Sequence, residues 1–124
     1  MDLSLADVQG TLGSAKLAIT MEWYIYPHEC REGYDLPFAL VNTAVVYTFA
    51  DQSQLFGFSQ SGWLCGSSTT GAYCGEEHGV YNGGTGRFEG ATGEWTMKFD
   101  GVNLDLAIGF RSLRGTANGT LVMP

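Results

Sequence analysis

Positive charge is scarce in this chain. Of its 124 residues only six are Lys or Arg, against 13 Asp and Glu, and the formal net charge is −7. The six (Lys16, Arg31, Arg87, Lys98, Arg111 and Arg114) are scattered along the sequence. A phosphate backbone is held by clustered cations, so the composition argues against nucleic acid as a partner and equally against an anionic membrane surface. Charged residues of both signs reach only 15%, below the usual figure of about 25%. Long apolar runs are missing too. No stretch approaches the roughly 18 apolar residues that a spanning helix needs, so no membrane partner is expected. The opening Met1-Asp2-Leu3-Ser4-Leu5-Ala6-Asp7 has no basic segment followed by an apolar one, which makes the cytoplasm the expected location.

Cysteine and histidine are few, at three and two. Cys30, Cys65, Cys74, His28 and His78 show no C-x-x-C or H-x-x-x-H spacing, so no metal site is expected. Cys65 and Cys74 flank a short segment that a disulfide could close in an oxidising compartment. Without a secretion signal, free buried thiols are the expectation. Asn118-Gly119-Thr120 matches a glycosylation sequon, which matters only in a secreted chain. Serine is plentiful, but Ser59-Gln60-Ser61-Gly62-Trp63 is not a nucleophile elbow, so a Ser-His-Asp hydrolase has no support.

What is abundant is glycine, 18 residues against three prolines, together with 13% aromatic and 44% apolar residues. That mixture suits short strands joined by tight turns, in one domain spanning residues 1–124. Alternation confirms the strand reading. Over residues 15–25, Ala15, Leu17, Ile19, Met21, Trp23 and Ile25 share one face, opposite Lys16, Ala18, Thr20, Glu22 and Tyr24. Over residues 43–49, Val45, Tyr47 and Phe49 share a face; after a turn at Asp51-Gln52-Ser53, so do Phe56 and Phe58 in residues 54–64. Trp95, Met97 and Phe99 alternate with Glu94, Thr96 and Lys98. Asp100-Gly101 then reads as a two-residue hairpin into Val102, Leu104, Leu106, Ile108 and Phe110. Residues 79–88 and 115–123 add further strands, while 27–37 reads as a long loop or lid. Seven or eight strands with short links make an all-β antiparallel barrel the leading architecture and a sandwich the alternative.

The most distinctive run is Gly83-Gly84-Thr85-Gly86-Arg87-Phe88-Glu89-Gly90-Ala91-Thr92-Gly93. A strand follows it where a dinucleotide site needs a helix, and its glycine spacing does not match that fingerprint. Gly83 and Gly84 instead suit a bulge, and Gly90 to Gly93 a hairpin. With the amphipathic strand and terminal Gly-Thr-Leu that follow, the run resembles the allene oxide cyclase and dirigent-protein superfamily of small β-barrels. The resemblance covers roughly residues 79–121. It implies a single calycin-like, eight-stranded antiparallel barrel, often a homo-oligomer (dimer or trimer), with a hydrophobic cavity and no metal or redox cofactor. Members cyclise lipid-derived epoxides or steer radical coupling, and similar barrels act in polyketide biosynthesis. The plant cyclases' N-terminal acidic and asparagine positions have no match in residues 1–26, so no catalytic residue is carried over.

If the apolar strand faces point into such a barrel, Trp23, Val45, Phe49, Phe56, Phe58, Trp95, Phe99 and Leu106 line it. Tyr47 and Gln60 lie on those faces and could hydrogen-bond a ligand carbonyl. Tyr47 and His28 are the candidate catalytic residues, the first as a hydrogen-bond donor, the second as a group that moves protons near neutral pH. Three functions fit: a cofactor-independent cyclase or isomerase acting on an apolar small molecule, a non-catalytic lipophilic-ligand or dirigent-type binder, and a filled barrel serving as an interaction domain.

Overall fold

The computed structural model describes residues 2–105 and 110–124. Its strands are β1 (Asp2–Gly10), β2 (Gly13–Ile25), β3 (Leu36–Phe49), β4 (Gln54–Gly66), β5 (Ala72–Gly84), β6 (Thr92–Asp105) and β7 (Phe110–Val122). Each pairs antiparallel with the next, giving one seven-stranded sheet in the order β1 to β7. The sheet curls into a half-barrel with β1 and β7 as its edges. The all-β antiparallel expectation is therefore met.

The concave face gathers alternate residues of every central strand: Leu17, Ile19 and Met21 on β2, Val45, Tyr47 and Phe49 on β3, and Trp95, Met97 and Phe99 on β6. Because strand side chains alternate between faces, this face is the core and the other meets solvent. Burying one such side chain fully contributes about 1.5–3 kcal/mol. On β2 the alternation ends at Met21. A bulge between Glu22 and Trp23 skips Val41 of β3, so Trp23 pairs with Leu40, and Ile25 lies exposed on the sheet's end. The sequence pattern alone extends the buried face to Ile25.

The glycine-rich run plugs one end of the curl. The β4–β5 register slips between Leu55 and Gly57, and Gly83 takes a φ of +118° there, as a bulge requires. A single 3₁₀ turn, Gly86–Phe88, follows. It drives Phe88, 1% exposed, against Phe49 with ring centroids 4.9 Å apart. Arg87 covers both rings and pairs with Asp51 at 3.2 Å.

Two expectations are corrected. Asp100-Gly101 is not a hairpin: both residues lie within β6, paired with Cys74 and Tyr73 on one side and with Arg114 and Leu113 on the other. Ladders on both sides outweigh the dipeptide's local turn preference. The cysteines form a Cys30–Cys65 disulfide, leaving Cys74 free. That bond ties the loop of residues 26–35 onto β4. Tyr26 N–H donates to the Pro37 carbonyl at 3.1 Å, and Asp35 accepts from the Ser68 amide at 2.8 Å and from its hydroxyl, securing the loop's ends.

Candidate functional site

The inward face of β5 reads Tyr73, Gly75, Glu77, Gly79, Tyr81. The two glycines make room for aromatic rings from β6. A Cβ at Gly75 would lie 2.5 Å from Phe99 Cζ, and one at Gly79 would lie 2.3 Å from Trp95 Cζ2. Between them Glu77 points into the core with 0% of its surface exposed. Neither of its carboxyl oxygens has a hydrogen-bond partner among the described residues, and neither has the Thr43 hydroxyl on β3.

A carboxylate without donors in an apolar interior is costly, and the group responds by holding its proton. Burial pushes the Glu77 carboxyl up from its ordinary value, and the nearby Thr43 hydroxyl offsets this only in part. Tyr47 is pushed up as well, first by burial and then by Tyr81 and Glu77. Tyr81 is raised by burial alone. On the concave face Glu77, Tyr47 and Tyr81 are thus all favoured in their neutral, proton-bearing forms.

Access comes from the open side of the curl. A cleft of about 240 Å³ between the two edges of the sheet is lined by Val8, Leu17, Tyr47, Met97, Phe99 and Thr116, among others. Its surface is mostly apolar, and Tyr47 supplies a polar group in its wall. Glu77 lies beyond this lining, with Met97 as its cross-strand partner. Arg114, exposed at the same cleft, is engaged with Asp100 at 2.7 Å.

The residues singled out from sequence fall into three groups. Val45, Tyr47, Phe49, Trp95 and Phe99 are buried on the concave face, and Trp23 packs on its border against Phe38 at 4.8 Å. Phe56, Phe58 and Gln60 do not join them. Leu55 and Gly57 are the inward residues of β4, Phe58 is 42% exposed on the outer face, and Gln60 is exposed where the β4–β5 ladder bulges. The reason is steric: a Cβ at Gly57 would already stand 3.0 Å from Trp95 Nε1 and from Val45 Cγ2, so no aromatic fits inward there. Leu106 lies outside the described residues.

His28 does not join Tyr47 on the concave face. It sits in the 26–35 loop against the outer face, with Nε2 3.0 Å from the Phe38 carbonyl and its ring 6.2 Å from that of Trp63. Its ring nitrogen and the sulfurs of Cys30 and Cys65 lie within 4.8 Å of one another. The two sulfurs are bonded to each other, so the trio does not offer three separate ligands to a metal ion. His78 is also outward, between Glu76 at 3.1 Å and Thr96 at 3.0 Å.

Sequence reasoning passed over Glu77. The signal was present, since alternation from Tyr73 to Tyr81 puts a lone acid on an aromatic and glycine face, but the strand read from the sequence begins at residue 79, whereas β5 begins at Ala72. No family model, curated protein or solved structure matches this chain.

Proposed function

We propose that this protein is a cofactor-independent isomerase or cyclase acting on an apolar small molecule bound at the concave face. The observation that carries this reading is Glu77: a fully buried carboxyl whose oxygens accept no hydrogen bond among the described residues, on the same concave face as Tyr47, whose side chain lines an apolar cleft. Buried groups displaced from their ordinary ionisation cluster at functional sites, because proton transfer needs an acid matched to its task. Tyr47 donates a hydrogen bond to a carbonyl or epoxide oxygen of the substrate and stabilises charge developing there. Glu77 supplies and recovers the proton. The apolar walls fold a flexible substrate so that its reacting ends meet, which removes entropy from the barrier.

The cleft is smaller than the roughly 300–1,000 Å³ of common ligand sites, so the substrate extends along the open edges or widens the curl. The resemblance of residues 83–93 to cyclase barrels supports the same reading. The other reading, a binder of lipophilic molecules, draws on the same apolar cleft but leaves the buried carboxyl without a task.

The test is an organic extract of the source organism incubated with the protein at catalytic and then equimolar dose, followed by chromatography with mass detection. One compound falling while another of identical mass rises at catalytic dose supports the isomerase. Sequestration in proportion to protein, without product, replaces it with the binder.

A further inference from the structure

We propose that Cys74 and the Cys30–Cys65 disulfide form a thiol–disulfide exchange site on the outer face of the sheet, in which Cys65 passes from Cys30 to Cys74. This inference is independent of the concave face and its chemistry.

Three observations place the sulfurs. Cys65 and Cys74 are direct partners in the β4–β5 ladder. Both project outward, since Leu64 on β4 and Tyr73 and Gly75 on β5 are buried against the core. Residues directly opposite in an antiparallel pair have Cα atoms about 4.5–5.5 Å apart, inside the roughly 4.4–6.8 Å span that a disulfide bridges. Cys30 stands 5.9 Å from Cys65 by the same measure. Cys65 therefore has two sulfur partners within bonding range of its backbone, one from the loop and one from the sheet. The third cysteine is a half-buried free thiol that borders the outer groove also lined by Arg31 and Trp63.

The exchange balances without any other reagent. The Cys74 thiolate attacks Cys65 Sγ, the Cys65–Cys74 bond forms, the Cys30–Cys65 bond breaks, and Cys30 leaves as a thiolate that takes up the proton Cys74 gave to solvent. No net oxidation occurs. What changes is the loop. With Cys30 released, residues 27–34 keep their end bonds at Tyr26 and Asp35 but lose the covalent link to β4, and the outer face around Trp63, against which the loop's His28 lies, is uncovered.

The test uses the full chain, folded and oxidised, incubated for hours, the timescale of uncatalysed disulfide rearrangement. Free thiols are then alkylated, and the protein is digested without reduction for peptide mapping. The expected result is two species, one with Cys74 labelled and Cys30 joined to Cys65, the other with Cys30 labelled and Cys65 joined to Cys74. In Cys74→Ser, Cys30 labelling is lost. Label confined to Cys74 in the wild-type chain overturns the proposal. So does Cys30 labelling that persists in Cys74→Ser, because the loop bond would then be opening by reduction.

Discussion

The Trp95 ring fills the space that a side chain at residue 79 would need: a Cβ on Gly79 would lie 2.3 Å from Trp95 Cζ2 and 2.4 Å from the Phe58 carbonyl oxygen. The carbonyl is backbone and cannot give way, so Gly79→Ala forces the β4–β5 ladder or the indole to move. Overpacking of this kind costs about 1–3 kcal/mol. The control is Gly10→Ala, where a Cβ meets nothing within 4 Å. Urea unfolding is expected to show a lowered midpoint for the first variant and an unchanged or raised one for the second. Equal midpoints would contradict the packing described here.

Phe88 closes the end of the core from a glycine-rich turn. Phe88→Ala removes a fully buried ring packed on Phe49, and such truncations cost about 3–5 kcal/mol. Thermal unfolding of the variant checks this. A loss below about 1 kcal/mol would mean that the turn collapses to refill the space, and that the plug contributes little.

Glu77 makes a pH prediction with a definite sign. Burial raises its carboxyl above the ordinary 4.5. Above that pH the native chain holds a proton that the unfolded chain has released, so stability falls as pH rises until the native carboxyl also ionises. The slope from this one group is at most about 1.4 kcal/mol per pH unit. Glu77→Gln cannot titrate, so its stability measured by urea unfolding from pH 5 to 8 lacks this decline, while contributions from other groups cancel between the two proteins. Parallel curves would show that Glu77 ionises normally.

Much of the fold was legible because alternation is a local property. Leu17, Ile19 and Met21, or Trp95, Met97 and Phe99, declare a buried face within one strand. What escaped was set by neighbours. The inward side of β4 is taken by Leu55 and Gly57 because Trp95 of β6 needs the volume, so choosing the more aromatic face, Phe56 and Phe58, selected the wrong side. The Cys30–Cys65 pairing depends on where a loop lands on the outer face, which spacing along the chain does not reveal. Of the site, Tyr47 was readable as a polar group on an apolar face. Glu77 was hidden because the strand read from the sequence starts at residue 79, while the pairing with β4 and β6 carries β5 back to Ala72.

Tyr47→Phe keeps the ring in the core and removes one hydroxyl at the cleft. Turnover of the substrate found in extract screening is expected to fall about 10²–10³-fold, as when one donor to a developing oxyanion is removed. Circular dichroism should match the wild type. Unchanged turnover would take Tyr47 out of the mechanism.

The most direct measurement of the central claim is the rate of that equal-mass conversion by Glu77→Gln, compared with the wild type after both are shown to be folded. If the buried carboxyl moves the proton, the variant loses about 10²–10⁴-fold in rate while remaining at least as stable as the wild type at neutral pH. A folded Glu77→Gln protein that converts the substrate at the wild-type rate would contradict the account.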